Sequence, residues 1–375
     1  MQLRQLPSRL ARRARDLLGP RTPAPMLVIE SDDWGAIRVP DRAALSAMQA
    51  CGLSSRNPFD RLDSLETPDD LDALLDALGS VKDANGLPAR FTMNTVMANP
   101  DLEALLENNF DSYRYRTISA LPEKYPLYAQ VLALFEQGMN DGRLKPQFHG
   151  REHLNVPAWM QACRGGTDAL LKAARCGVYG IDVALDGMRR RNFMAAWDFH
   201  SQAEQAFVLD SIREGLELFE AQFGIRSVSA IAPCYVWDQQ CERIAAEAGV
   251  RFFQGIVRQY VPRIGRERYG FKLNYTGRFG HAGVRYLVRN CFFEPSIEQG
   301  RDVVADCLRR LEALFSMNRL AVLSTHRINF MGGIEPANRE VNIQMFSTLL
   351  AEIVKRWPSV EFHVADSAFD RIDAG

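Results

Sequence analysis

The sequence of 375 residues lacks several features that would place a protein in a class at first sight. It has no apolar run approaching the roughly 18 residues that a membrane-spanning helix needs, and it has no internal repeat or low-complexity tract. Lys and Arg together number 45 against 46 Asp and Glu, so the formal net charge is -1 and there is no basic footprint for nucleic acid. We therefore expect neither a transmembrane segment nor a nucleic-acid partner.

Cysteine is present, but it is not arranged for a disulfide framework or for a cysteine zinc site. The 7 cysteines are an odd number and show no CxxC spacing. The amino-terminal stretch also lacks the continuous hydrophobic segment of a secretory signal. We therefore expect reduced thiols and a cytoplasmic protein.

Residues 1–25 differ from the average composition and form a predicted basic arm. Its arginines are Arg4, Arg9, Arg12, Arg13, Arg15 and Arg21, and its acidic residue is Asp16. One interpretation is a solvated first helix before a proline-rich joint, and another is an arm that contacts anionic lipid or a partner. The second would place the protein peripherally at the inner face of the membrane; an organellar transit peptide has a similar composition.

Apolar segments rich in β-formers alternate with amphipathic ones from residue 26 onward. Strands are predicted at 26–31, 90–95, 144–149, 177–181, 227–231, 251–254, 284–288, 320–325 and 359–364, and helices at 68–78, 201–223, 239–248, 297–315 and 340–356. This alternation predicts an α/β fold with parallel strands, and the number of strands favours a barrel. We expect one domain over 26–375, with insertions near 104–140 and 255–282 that shape a substrate cleft.

Three of the predicted strands end on side chains that bind metals or transfer protons. The first ends on Asp32 and Asp33, the third is followed by His149 and His153, and a late one ends on His326. The carboxyl ends of parallel strands open on one face of a barrel, so these side chains are expected to meet there. Each also has a structural interpretation, because aspartates often cap helices and histidines are often hydrogen-bonded core residues.

His149 and His153 stand four residues apart, a spacing that puts two imidazoles on the same side of a helical turn. Together with one carboxylate they would form a two-histidine, one-carboxylate site that leaves positions open for water and substrate. Such a site suits a divalent metal, most of all zinc, but also cobalt, manganese or iron.

These motifs resemble those of the polysaccharide deacetylase, or NodB-like, superfamily, whose members are metal-dependent amidases or esterases. The family's strand ending in two aspartates is matched by the stretch from Ile29 to Asp33, and its paired histidines by HGREH at 149–153. Its late Leu-x-His motif is matched by the stretch from Leu323 to His326, with one additional residue. The resemblance covers roughly residues 26–370 and implies a distorted seven-stranded (β/α) barrel with loop insertions.

Two family motifs fit less well. The family's Arg-x-Pro-Tyr is represented by IAPCY at 231–235, which has Ile231 where the arginine belongs. The arginine that orients the catalytic base in the family would then come from another strand, with Arg151, Arg289 and Arg327 as the candidates. No equivalent of the family's Asp and Trp motif is identified.

The resemblance also implies the roles of the residues. Asp32 is the expected general base, His326 the general acid, and Asp33, His149 and His153 the metal ligands. Bound water near neutral pH would be the nucleophile, and a cationic acid beside an ionised base predicts a bell-shaped pH dependence. Residues near strand ends are candidates for substrate binding: Trp34, Asn94, Arg151, Tyr235, Glu294 and Arg327, with Asn329 as a further one; Trp34 and Tyr235 would stack on a sugar, or else pack at the barrel rim.

The predicted function is that of a metal-dependent deacetylase, a hydrolase of carbon–nitrogen bonds other than peptide bonds. Its expected substrate is an N-acetylated sugar or glycan precursor, nucleotide-linked or lipid-linked, in surface polysaccharide biosynthesis. One alternative is hydrolysis of another amide, a formamide or an ester, and another is a barrel that binds a glycan or a partner without catalysis. A glycoside hydrolase would need two carboxylates across a glycosidic bond, a geometry that adjacent aspartates do not obviously provide.

Overall fold

The structure is a computed structural model that describes residues 13–53, 57–183, 185 and 188–374. Its strands are β1 (Met26–Trp34), β2 (Phe91–Thr95), β3 (Ala98–Pro100), β4 (Tyr115–Thr117), β5 (Leu144–Phe148), β6 (Ser229–Ile231), β7 (Phe252–Gly255), β8 (Arg258–Val261), β9 (Gly270–Leu273), β10 (Arg285–Val288), β11 (Cys291–Phe292), β12 (Ala321–His326) and β13 (Glu361–His363).

The α-helices lie mainly between the strands. They are α1 (Arg42–Ala50), α2 (Phe59–Leu62), α3 (Pro68–Gly79), α4 (Leu102–Glu107), α5 (Tyr128–Asn140), α6 (Val156–Arg164), α7 (Asp168–Arg175), α8 (Gln202–Phe223), α9 (Gln239–Glu247), α10 (Val303–Phe315), α11 (Pro336–Arg356) and α12 (Ala365–Asp373). Short 3-10 helices span Ile118–Glu123, Pro233–Tyr235, His281–Gly283 and Arg327–Phe330.

In the described part of the chain, nine strands form one sheet in the order β10-β7-β6-β5-β2-β1-β12-β11, with β13 beside β1. All pairs within this sheet are parallel. To add a strand parallel to its neighbour, the chain must first return to the other end of the sheet, and it usually does so through a helix. Strands that alternate with helices along the sequence therefore form a parallel sheet. The predicted α/β fold with a parallel sheet is therefore confirmed.

The two ends of the strand order, β10 and β11, are consecutive in sequence. Arg289 N–H donates to the carbonyl of Gly255 at 2.8 Å, on the β7 side, and Asn290 N–H donates to the carbonyl of Val322 at 3.1 Å, on the β12 side. The stretch 285–293 thus leaves one neighbour and joins the other. As a result the sheet curls back on itself, and the carboxyl ends of its strands converge.

Helix α3 shows how local sequence sets the outer layer. Thr67 caps its amino terminus in a capping box with Asp70, and proline occupies its first turn. Its leucines at 71, 74, 75 and 78 follow a helical repeat and are buried against the sheet. Because helices cover both faces of a parallel sheet, a central strand is buried on both sides, and every residue of β1 is buried.

The prediction of a strand at 177–181 was wrong. These residues follow α7 as an irregular segment that begins at Gly177, which has a φ of 78°. Their apolar side chains, including Val178 and Ile181, are buried in a cluster of their own beside α6 and α7 instead of in the sheet. A short apolar run does not by itself distinguish a strand from a buried connection.

The two stretches for which the sequence predicts insertions contain strands and helices. Residues 104–140 include β4, which pairs antiparallel with β3, and the helix α5. Residues 255–282 include the antiparallel hairpin of β8 and β9. Of the predicted basic arm, residues 1–12 lie outside the described residues. Among the residues that are described, no helix has the length and apolar character needed to cross a membrane.

Candidate metal centre and active site

The two aspartates at the end of β1 lie in an irregularity of the sheet. The register between β1 and β2 shifts between Ser31 and Trp34, and Asp33 has a φ of 75°. Successive residues of a regular strand point to opposite faces, but here the bulge and the left-handed backbone turn both carboxylates toward one cluster. Bulges of this kind are common beside active sites.

Asp33 meets both histidines of the HGREH stretch. His149 Nε2 and His153 Nε2 each lie 3.2 Å from Asp33 Oδ1, and all three side chains are buried. The helical turn predicted for the histidines was wrong, because residues 149–155 form a loop after β5. The loop, which includes Gly150 at a φ of 105°, still brings the two rings to 5.0 Å between centroids.

The protonation of these rings bears on whether the cluster fits a metal. His149 Nδ1 lies 3.0 Å from the carbonyl of Ile231, and because a carbonyl can only accept, Nδ1 carries the proton. In the neutral ring, Nε2 then presents a lone pair to the carboxylate of Asp33. Two acceptors at 3.2 Å repel unless a cation lies between them, so the donor set of two nitrogens and one oxygen fits a divalent metal.

The electrostatics of the cluster point the same way. Burial lowers the pKa of His153 to about 3, which keeps this ring neutral and able to coordinate. The group of Asp33, His149 and His153 can therefore hold a metal ion.

Asp32, the other carboxylate, is bound by an arginine. Arg289 Nη1 and Nη2 donate to its two oxygens at 2.6 Å each, and Arg289 Nε donates to Glu30 at 2.8 Å. Burial would raise the pKa of Asp32, but the guanidinium of Arg289 overrides it and lowers this pKa to about 2. Burial raises the pKa of Glu30 to about 7, with Arg289 opposing the rise.

His326 lies at the solvent-facing edge of the site. Its Nδ1 is 2.8 Å from Glu294 and its Nε2 is 3.9 Å from Asp32 Oδ2, and its side chain is 24% exposed. Burial alone would lower the pKa of His326, but Glu294, Asp33 and Asp32 raise it to about 10. Asn329 donates to Glu294 at 2.8 Å and so helps to hold this pair.

The structure places the other predicted site residues at different distances from this centre. Asn94 donates to Asp32 at 2.8 Å and contacts Gln254, and the hydroxyl of Tyr235 lies 3.4 Å from Arg289 Nη1. Trp34 is 0% exposed and packs edge-on against neighbouring phenylalanines, which is the packing alternative that the sequence left open.

The other two arginines proposed to orient Asp32 pair with different carboxylates. Arg151 pairs with Glu152 and Glu214 and lies over the ring of Tyr115 at 4.7 Å. Arg327 is fully buried between Asp63 and Glu66. Of the three arginines named from the sequence, only Arg289 contacts Asp32 among the described residues.

Two polar residues of the site, Glu30 and Gln254, were not predicted from the sequence. Both are 0% exposed; Glu30 pairs with Arg289, and Gln254 exchanges hydrogen bonds with Asn94. The signal was present, because each polar residue directly follows a run of apolar residues in its strand. Such a residue is almost never fully buried unless it is paired.

Fold and site together define an α/β protein with a buried Asp-His-His cluster beside an arginine-bound aspartate. Comparison with known proteins finds no matching family model and no matching curated protein. Solved structures with a similar course of the chain include a probable polysaccharide deacetylase from Pseudomonas aeruginosa PAO1, with 10% identity, 93% of this chain and 91% of that chain covered, and a TM-score of 0.43.

An allantoinase shows 10% identity over 94% of this chain and 91% of that chain, with a TM-score of 0.42. A 4-alpha-glucanotransferase from Thermococcus litoralis shows 10% identity over 94% of this chain and a TM-score of 0.45, and the chain spans only 40% of its length. At these TM-scores the similarities show neither the family nor the activity of this chain.

Proposed function

We propose that the protein is a metal-dependent hydrolase of the polysaccharide deacetylase type that removes an N-acetyl group from a sugar or glycan precursor. The observation that supports this most is that two adjacent carboxylates have different partners. Asp33 faces two imidazole nitrogens at 3.2 Å, whereas Asp32 faces a guanidinium at 2.6 Å. One is thereby suited to a metal and the other to proton transfer.

The metal supplies one part of the chemistry. A divalent ion bound by Asp33, His149 and His153 would act as a Lewis acid and would lower the pKa of a water molecule. Zinc fits this donor set best, and cobalt, manganese and iron also fit it.

The chain's own residues supply proton transfer. Arg289 keeps Asp32 ionised throughout the neutral range and fixes the orientation of its carboxylate, which accepts the proton of the attacking water. The basicity of Asp32 is low because its pKa is lowered to about 2, so it can only deprotonate a water that is already acidified. His326, kept cationic by Glu294, donates a proton to the leaving nitrogen.

The fold supports the same proposal. Counting 285–293 as one strand that pairs with β7 and then with β12, the curled sheet has seven positions around its circumference. We take this as a distorted seven-stranded β/α barrel, with the acid, the base and the metal ligands at the carboxyl ends of β1, β5 and β12. This is the face of a parallel barrel that carries catalytic residues.

The substrate we propose is an N-acetylated sugar carried on a nucleotide or a lipid, processed in the cytoplasm for a surface polysaccharide. His326 and Tyr235 belong to the site and are partly open to solvent. Tyr235 and the preceding Cys234 have φ values of 59° and 56°, so this turn after β6 is strained where a substrate would lie.

The experiment that tests the proposal begins with metal content. Purified protein is compared by elemental analysis with the His149→Ala, His153→Ala double variant and with His281→Ala, an exposed histidine away from the cluster. We expect near-stoichiometric metal in the wild type and in His281→Ala, and none in the double variant. The metal-loaded protein is then assayed for acetate release from N-acetylated sugar nucleotides.

Two results would change the proposal. A wild type that binds no zinc, cobalt or manganese even after reloading would rule out the hydrolase and leave a non-catalytic barrel. A metal-loaded protein that releases no acetate but hydrolyses formamides or esters would keep the site and change the bond that it cleaves.

A further inference from the structure

A cavity of about 510 Å³ lies at the seam of the curled sheet, where the stretch 285–293 passes from β7 to β12. The connection between β7 and β10 carries the β8–β9 hairpin and a 3-10 helix where other crossovers carry an α-helix. The hairpin, α10 and the described part of the basic arm enclose the resulting space. The metal-ligand cluster does not line it.

The cavity is lined by an excess of arginines. They are Arg15, Arg258, Arg289, Arg301, Arg310 and Arg319, against Asp16, Glu298 and Asp306. The carboxylates are already used: Asp16 binds Arg310 through two bonds of 2.7 Å, and Glu298 and Asp306 bind Arg301. Arg289 is neutralised on the opposite side by Glu30 and Asp32.

Arg15, Arg258 and Arg319 are left without a carboxylate partner in the part of the chain that the structure describes. Arg319 is the most informative of them, because it is only 8% exposed. Its Nη atoms reach two backbone carbonyls at 3.3 Å, of Asn318 and Leu17, and its Nε has no hydrogen-bond partner among the described residues. A buried guanidinium is normally paired with an anion.

These three arginines leave an excess of positive charge on the cavity wall. The nearby Arg21 is joined to Arg319 by a backbone bridge, but its side chain is exposed and is not part of the lining. The local structure therefore concentrates positive charge around a space large enough for a small ligand.

We propose that this cavity binds the phosphate groups of a phosphorylated or pyrophosphate-linked ligand, at a site separate from the metal centre. Guanidinium groups match phosphate oxygens in geometry as well as in charge. Residues 1–12 contain Arg4, Arg9 and Arg12 and no acidic residue, so their charge does not favour them as the ligand of this cavity. That segment has the same charge as the cavity.

The test is a calorimetric titration of the protein with inorganic pyrophosphate at fixed ionic strength. We expect one equivalent to bind the wild type, and binding to weaken about tenfold in Arg258→Gln, since one charge-assisted contact is lost. Arg258 is exposed, so its substitution should leave the fold intact. Arg164→Gln, an exposed arginine at the end of α6 outside the cavity, is the matched control and should bind like the wild type.

Two further experiments identify the source of the phosphate. A nucleoside diphosphate that binds more tightly than pyrophosphate would indicate a soluble ligand. Cosedimentation with vesicles of phosphatidylcholine containing phosphatidic acid, lost in Arg258→Gln, would indicate a lipid headgroup. No binding of any probe, or equal binding to wild type and Arg258→Gln, would overturn the proposal.

The same titrations in the His149→Ala, His153→Ala variant keep this proposal separate from the proposed hydrolase. Because the cavity shares none of the metal ligands, pyrophosphate binding should survive loss of the metal site. Failure of the metal experiment therefore leaves this test intact, and failure of this test leaves the metal site intact.

Discussion

Arg289 binds both carboxylate oxygens of Asp32 at 2.6 Å, although the two residues stand 257 positions apart in the sequence. The same guanidinium binds Glu30, and its side chain is completely buried. A single arginine thus binds two buried carboxylates of β1. It also sets the ionisation of Asp32, the residue to which we assign the role of base.

Removal of this arginine should destabilise the protein. Arg289→Met leaves Glu30 and Asp32 buried without their cation, so the free energy of unfolding should fall by about 3–5 kcal/mol. Arg289→Lys keeps the charge but cannot form two parallel bonds, and should lose less stability. Urea unfolding measures both, with Arg213→Met, which breaks an exposed pair with Asp210, as a control expected to change it by less than about 1 kcal/mol. A methionine variant as stable as the wild type would contradict the burial of this pair.

Metal binding should stabilise the folded state. A ligand that binds only the folded protein raises the free energy of unfolding, by about 4 kcal/mol at a thousand times its dissociation constant. We therefore expect added zinc to raise the melting temperature of the metal-free protein, and expect Asp33→Asn to lose most of this rise. Asp210→Asn, an exposed aspartate on α8, should keep it; an equal rise in both variants would argue for zinc binding elsewhere.

At high pH, activity and stability should both fall as His326 loses its proton. Its pKa is raised to about 10 in the folded protein, so the stability from its cationic form is complete below the unfolded pKa of roughly 6.5 and is lost as the pH rises through about 10. Glu294→Gln removes the strongest raising influence, and both the imidazole titration and the basic limb of the rate should move to lower pH. Nitrogen NMR of the histidine rings measures the first of these directly, and an unchanged titration would mean that Glu294 does not set this pKa.

Trp34 should matter for stability and not for substrate recognition. Its ring is fully buried against Phe91 and Phe135, and its Nε1 donates to Ser31 at 3.0 Å. Trp34→Phe should therefore lower the free energy of unfolding by about 1–3 kcal/mol while metal content stays unchanged. A variant with normal stability and a raised KM for its sugar substrate would instead support the stacking role.

The sequence predicted much of the scaffold, and the reasons are local. Amphipathic periodicity located α3, α8, α9 and α11 to within a few residues, and apolar runs located most of the strands of the parallel sheet. The segment 177–181 was the exception, because its apolar residues serve a separate cluster. An apolar run indicates that a segment is buried, but both strands and connecting segments can be buried.

By itself the sequence determined which ionisable side chains stand at strand ends: Asp32, Asp33, His149, His153 and His326. It could not determine which partner each would meet. The choice of Arg289 over Arg151 and Arg327 follows from the passage of 285–293 between β7 and β12, and the convergence of both aspartates follows from a bulge in β1. These are long-range pairings, and their geometry is decided only when the curled sheet brings distant segments together.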